Sequence, residues 1–400
     1  MSFDVGHVRA AYPALRDGHA YLDGAAGTQV PSVVIEAIAD AYRAGIGNLG
    51  GAFPASARSG AIVAAARQAV ADLVGGDPGG VVFGPSTTAL IYRFSAALAK
   101  GWQPGDEIVV SRLDHDSNIR PWLQAADRAR VTVRWAEPDL AAGELPVAQY
   151  AHLIGERTRV VAVTAASNIL GTRPDVPAIA ALAHAAGALV YVDGVHATPH
   201  VPVDVAALGA DFYATSAYKW SGPHVAAVVA APSRLAAIRP DKLVPSHDEV
   251  PDRFELGTLP IADLAGVTAA VDHLASLAGP APGGSRRERL LAAMAAVEEH
   301  EAVLFAHVLG GLGSMSHVTT YGKAARRAPT AYFSVAGRSP DAVAETLASQ
   351  GINVWSGNNY AYELCRALRL EPDGAVRAGL AHYNDRSDAD RLLTALADLA

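Results

Sequence analysis

The chain has 400 residues, half of them hydrophobic and 6% aromatic, with 37 glycines, 24 prolines and one cysteine. That length and apolar content exclude a disordered segment or a small disulfide-stapled module, and chains of this size usually divide into more than one domain. A net charge of −8 argues against an extended nucleic-acid footprint while leaving local phosphate pockets open, and the single Cys365 excludes an internal disulfide framework and cysteine-rich metal sites.

The first residues show no basic stretch leading into an apolar one, so no signal peptide is expected. The most apolar runs are broken by His, Asp or Arg before a membrane span is complete, and a cytoplasmic protein without membrane or nucleic-acid partners is the expectation. Residues 31–44 open with Pro and Ser and carry Val34, Ile38 and Tyr42 at helical spacing. A glycine-rich bend, "GIGNLGGAFPAS", precedes a second helix over 57–74. After the breaker "GGDPGG", a short strand "VVF" leads into "GPSTTALIYRFSAALAKG", a turn and a helix ending at Gly101. Strands and helices then alternate: "EIVVS", "NIRPWLQAADRA", "RVTVRW", "RVVAVTAAS", "VPAIAALAHAAG", "ALVYVDG", "ADFYATS" and "HVAAVVAA". Near-continuous apolar strands separated by helices predict an α/β fold with a largely parallel sheet covered on both faces. The breaker-rich "LAGPAPGGSRR" marks a boundary, with a large domain over 21–280 and a small α+β domain over 281–400. That second domain reads as a helix over 288–309, "PTAYFSVAG", the helical "PDAVAETLASQG", "INVWSG", "AVRAGLAHY" and a terminal helix.

Three features sit at or just beyond strand ends, where a parallel sheet places its ligands. "FGPSTTAL" puts Ser86, Thr87 and Thr88 at a helix start, where free N–H groups and hydroxyls can hold a phosphate, although ordinary capping accounts for at least one hydroxyl. "ALVYVDGVHATPH" places Asp193 at the end of an apolar strand and His196 on the next turn. A buried carboxylate there needs a partner, either turn N–H groups or a protonated ring nitrogen. "DFYATSAYKWSGPH" carries Ser216, Tyr218 and Lys219 into a turn. Its lysine either solvates a face or forms a Schiff base with an aldehyde cofactor. Anion anchor, pyridinium partner and covalent tether are together the set expected for pyridoxal phosphate.

In this order, "YLDGAAG", "STTAL", "LDHDSNIRPW", "ASNILGT", "VDGVHATPHVPVDVAALGADFYATSAYKWSGP", "RFELGT" and "VRAGLAHYN" make the chain resemble the class V, fold-type I pyridoxal-phosphate enzymes, in their cysteine desulfurase-like branch. The resemblance implies a large domain with a mostly parallel seven-stranded sheet sandwiched by helices, a small C-terminal α+β domain, and residues 1–20 packing near the latter. It implies pyridoxal 5'-phosphate, no metal, a small amino-acid substrate and a homodimer. Lys219 is similar to the covalent-tether lysine, Asp193 to the carboxylate that keeps the pyridine nitrogen protonated, and His115 to the imidazole stacked on the cofactor ring. Asn168 and His196 resemble neighbours of the phenolic oxygen, the family often having Gln at the second position. Thr87, Thr88, Ser216 and Tyr218 match phosphate-side positions, with Tyr218 replacing a histidine common in desulfurases. Thr258 is similar to a threonine that reaches the cofactor phosphate of the neighbouring subunit. Arg377 resembles the arginine that grips the substrate α-carboxylate, a task its planar bidentate geometry suits, and Arg58 is assigned to the substrate mouth.

One departure from the family bears on the reaction. Cysteine desulfurases attack with a mobile loop thiol, but the corresponding region here reads "GINVWSGNNYAYELC", with Trp355 at an arginine-like place and Tyr360 near the expected cysteine. Cys365 follows in a helix-like run and reads as buried packing. Trp355, Asn358, Asn359 and Tyr360 either shape a substrate pocket or pack as a small-domain loop. The expected chemistry is removal of the Cα proton by Lys219 from an amino acid held by Arg377, an opening step shared by transamination, racemisation and β-elimination. A class V aminotransferase or carbon–sulfur lyase is the preferred reading. A persulfide-forming desulfurase, an amino-acid racemase or epimerase, and a non-catalytic cofactor carrier are the alternatives.

Overall fold

A computed structural model describes residues 3–279 and 284–400. The strands in chain order are β1 (Ala20–Tyr21), β2 (Val81–Gly84), β3 (Glu107–Ser111), β4 (Thr132–Ala136), β5 (Thr158–Thr164), β6 (Leu189–Asp193), β7 (Phe212–Ser216) and β8 (Ala226–Ala230), then β9 (Val318–Tyr321), β10 (Thr330–Val335), β11 (Ile352–Asn353) and β12 (Val376–Gly379). One seven-stranded sheet runs β2-β8-β7-β6-β5-β3-β4. Neighbours from β7 to β4 are parallel, whereas β8 is antiparallel to both β7 and β2. The reversal has a simple cause. Only residues 217–225 separate β7 from β8, too few for the crossover that parallel pairing demands. The seven apolar runs of the first part of the sequence are these seven strands.

Alternation along each strand divides the sheet between two cores. Val161 and Val163 of β5 and Val190 and Val192 of β6 face one core, where the helices Pro54–Val74, Val176–Ala185 and Ile261–Ser276 pack. Val160, Ala162 and Tyr191 face the other, with the helices Thr87–Ala99 and Arg120–Ala129. The edge strand β4 keeps Thr132 and Arg134 exposed, and Arg134 pairs with Glu107 of β3 at 2.8 Å. Charge on such an edge discourages pairing with another chain.

Of the departures from the sequence-based expectation, two concern helices of the large domain. The second helix begins at Pro54 instead of residue 57, proline being suited to a first helical turn, so the glycine-rich bend is shorter. The helix Ile261–Ser276 was not anticipated. It is buried along most of its circumference, which blurs the amphipathic period by which helices are recognised, and it approaches the helix Ser32–Ala44 closely at Gly266, where a Cβ would lie 2.7 Å from Ile38.

The small C-terminal domain has an antiparallel sheet, β12-β10-β9, packed around Phe333, Val376, Leu347 and Leu392. The long helix Arg286–Gly313 starts with a capping box between Ser285 and Glu288, ties Arg286 to Asp72 and Asp272 beside the large sheet, and ends by sending Leu304 and Val308 into the third core. The expected domain boundary falls on residues 280–283, which lie outside the described residues. At the other end, Arg9 donates to the Tyr383 carbonyl and pairs with Asp388, both at 2.7 Å, and β1 pairs in parallel with β11. Among the described residues no helix is long and apolar enough to cross a membrane.

Candidate active site

The parallel strands deliver their C-terminal ends to one recess. Its walls hold Thr87, Thr88, His115, Asn168, Asp193, His196, Ser216, Tyr218 and Lys219, gathering these sequence-named residues in one place. Ser86 is the helix N-cap, accepting from the Ala89 N–H at 3.1 Å, which frees the Thr87 hydroxyl to bond Ser216 Oγ at 2.6 Å. Two hydroxyls and the first helical N–H groups therefore converge, a natural anion cradle. Several of these walls also border a larger cavity of about 960 Å³ that reaches Arg377, Trp355 and Tyr360.

Burial sets the electrostatics. Asp193 is buried, and its one hydrogen bond is from the Val195 N–H at 3.0 Å. Burial pushes its acid strength down, opposed by that bond and by the charge of Lys219. Asp114, buried behind it, accepts from Ser111 Oγ at 2.5 Å and Asn118 Nδ2 at 2.7 Å and is pushed up to about 8, first by burial. The charge of Lys219 favours the ionised form of Asp193, whereas the charge of Asp193 adds to burial in raising Asp114. Lys219 is itself buried, donates to the Ala25 carbonyl at 2.6 Å, and is lowered to about 7 by burial and then by the charge of Arg377. Near neutral pH a large fraction is thus free amine, the form that attacks an aldehyde. His115 is lowered to about 3, mainly by burial. Its Nδ1 accepts from the Ser117 N–H at 3.1 Å, which makes the neutral Nε2–H tautomer the consistent assignment.

Arg377 is buried and lines the larger cavity, and among the described residues its guanidinium makes one hydrogen bond, from Nη1 to the Asn168 carbonyl at 3.1 Å. Burial brings it down to about 10, still a cation at neutral pH. Asp23, in the quoted "YLDGAAG" but given no role by sequence reasoning, interacts electrostatically with this guanidinium and is raised by burial to about 6, with Oδ1 buried and unpartnered. Only its position at the opening of the motif signalled it.

Two sequence-named residues do not join the recess. Arg58 is exposed on its helix, donates from Nε to the Gly45 carbonyl at 2.9 Å and lies outside both cavity walls. In the single chain Arg58 therefore borders neither cavity, and its assignment to the substrate mouth stays an expectation. Thr258 is exposed on the loop after Gly257, likewise outside the recess. Cys365 is 1% exposed, with Sγ 3.4 Å from Tyr332 Oη, and burial raises its thiol.

The recess fits pyridoxal phosphate by its unpaired groups. Asp193 lacks an ion-pair partner among the described residues, and Asn168 Oδ1 and His196 Nδ1 are buried without hydrogen bonds. The Asn168 amide nitrogen already donates to the Asn359 carbonyl at 2.7 Å, and His196 Nε2 is 2.9 Å from Thr330 Oγ1, so these two atoms are what each side chain has left for a ligand.

Comparison with known proteins agrees. Residues 20–392 match the family model described as aminotransferase class-V. The chain is 38% identical to the uncharacterized protein MT3887 of Mycobacterium tuberculosis, over all of both chains. It is 34% identical to a probable cysteine desulfurase of Pseudomonas putida, over 97% of this chain and 96% of that protein. The crystal structure of the cysteine desulfurase CsdA from Escherichia coli superposes with a TM-score of 0.87 at 29% identity, covering 100% of this chain and 98% of that one. The chain belongs to the class-V aminotransferase family and is a fold-type I, pyridoxal-phosphate-dependent enzyme closely related to the cysteine desulfurases.

Proposed function

We propose that this enzyme binds a free amino acid, removes its Cα proton, and completes transamination or carbon–sulfur cleavage. The observation that carries this reading is the placement of Lys219 and Arg377 on one cavity: a buried amine lowered to about 7 beside a buried guanidinium with a single protein hydrogen bond. Thr87, Thr88, Ser216 and Tyr218 would hold the phosphate of pyridoxal phosphate, Asp193 its ring nitrogen, and Asn168 and His196 its phenolic oxygen, and the group would supply an electron sink for charge developing at Cα.

The remaining work falls to the chain. Arg377 orients the substrate by pairing its planar donors with the α-carboxylate. Lys219, as free amine, accepts the Cα proton at Nζ. His115, held neutral by burial, acts by stacking and positioning rather than as a charged acid. Burial of Cys365 weighs against a persulfide-forming reaction, because a nucleophilic thiol needs access and thiolate character. We extend the proposal to a cytoplasmic homodimer. The loop carrying Thr258 exposes it together with Leu256 and away from its own recess, as expected of a residue serving a neighbouring subunit's phosphate.

A product-resolved amino-acid screen tests the reading. Transfer of the amino group to a 2-oxo acid supports transamination, and sulfide with pyruvate and ammonia supports β-elimination. Alanine with enzyme-bound sulfur would overturn the low weight given to desulfuration, and no turnover of any amino acid would overturn the whole proposal.

A further inference from the structure

We propose that Tyr360 and Trp355 form an aromatic wall that selects amino acids carrying an aromatic or extended apolar side chain. The inference rests on Arg377 holding the α-carboxylate and adds the substrate's side-chain class.

Trp355 and Arg377 exchange backbone hydrogen bonds, 3.1 Å from the Trp355 N–H and 2.6 Å from the Arg377 N–H, as an antiparallel bridge. Residues directly opposite in such a pair send their side chains to the same face. Both line the larger cavity, so a carboxylate on the guanidinium brings the rest of the substrate to the indole. That indole is 52% exposed, open to whatever enters.

Tyr360 is 71% exposed, yet it is held firmly. Its ring stacks on His115 with centroids 5.3 Å apart and planes 23° apart. Its carbonyl accepts from the Asp116 N–H at 2.7 Å, its own N–H donates to Asn358 Oδ1 at 2.9 Å, and the preceding Asn359 carbonyl accepts from Asn168. Asn359 and Tyr360 both adopt left-handed backbone, with φ of 49° and 60°. Two consecutive non-glycine residues in that region are strained, and such strain persists where surrounding contacts over-determine it, commonly at binding sites. The result is an exposed aromatic surface already fixed in place, which lowers the entropy lost when a second apolar group packs on it.

The charges nearby narrow the class further. Arg120, the other guanidinium on this cavity, is bound to Asp116 at 2.8 Å and Glu363 at 3.1 Å, leaving no free cation for a second substrate carboxylate.

The test uses the holoenzyme and two unreactive acids that lack the amino group, 3-phenylpropanoate and propanoate, titrated by calorimetry. The phenyl acid is expected to bind at least about tenfold more tightly. In turnover, kcat/KM is expected to be higher for phenylalanine than for alanine or aspartate by transamination, or for S-benzylcysteine than for S-methylcysteine by carbon–sulfur cleavage. Tyr360→Ala and Trp355→Ala each reduce the phenylalanine-to-alanine or benzyl-to-methyl ratio by about tenfold, while Tyr360→Phe, which keeps the stacking ring, preserves it. Equal binding of the two acids, or a ratio unchanged in both alanine variants, overturns the aromatic wall alone. Failure of both acids to bind the wild-type holoenzyme overturns the carboxylate anchor, and this inference with it.

Discussion

Replacing Arg377 by Met isolates its part in substrate recognition. The buried guanidinium spends one donor on the Asn168 carbonyl, and the cavity takes the rest. Two charge-assisted hydrogen bonds to a carboxylate, discounted for the desolvation each partner suffers, are together worth about 3 kcal/mol. The expected loss in kcat/KM for an α-amino acid is therefore on the order of 100-fold. Two further outcomes follow from the same burial. Asp23 should titrate higher, because it loses the charge that offsets its burial, and Lys219 should titrate higher too, because Arg377 is the charge that adds to burial in lowering it. The assay compares steady-state kcat/KM for an amino acid with the reaction of its decarboxylated amine, alongside thermal melts of both proteins. Equal losses for the amino acid and the amine, or a loss below about threefold, would refute the assignment of the carboxylate to Arg377.

Lys219→Ala should abolish borohydride fixation of the cofactor to the chain and lower turnover by about 10³-fold, within the range for a missing acid–base group; a persistent covalent adduct at another residue sinks the assignment. Asp114 has a folded value near 8, above its ordinary 3.8, so the folded chain retains a proton that the unfolded chain releases between those values. Its contribution to stability therefore falls as pH rises through that window. Asp114→Asn should melt relatively higher than wild type as pH goes from about 5 to 8, and parallel melting curves would contradict this. Cys365→Ala should cost about 1–2 kcal/mol of stability through lost packing and leave turnover within about twofold. Loss of sulfur transfer with the cofactor retained would show instead that the thiol reaches the reaction.

Much of the fold was legible because a strand buried on both faces writes itself as a continuous apolar run. The seven runs from "VVF" to "HVAAVVAA" became β2 to β8, and Asp193 and Lys219 could be placed at strand ends from their local context. The helix Ile261–Ser276 escaped for the converse reason, since a helix buried nearly all round shows no clear stripe. Nearness in sequence to the glycine-rich bend does anchor Arg58, which donates to the Gly45 carbonyl, but sequence alone does not say which way its helix presents it.

Local sequence thus determined the element types, the strand-end chemistry and, through the order of its motifs, the family. Tertiary structure alone decided that Asn168 accepts from Arg377 and donates to Asn359, that Tyr360 lies on His115, and that Asp23 faces Arg377. Such pairings are separated by up to hundreds of positions, and periodicity reports only the face a residue presents, not the residue it meets there. The lowered Lys219 and raised Asp114 belong to the same category, because both shifts arise first from desolvation by neighbours that folding assembles.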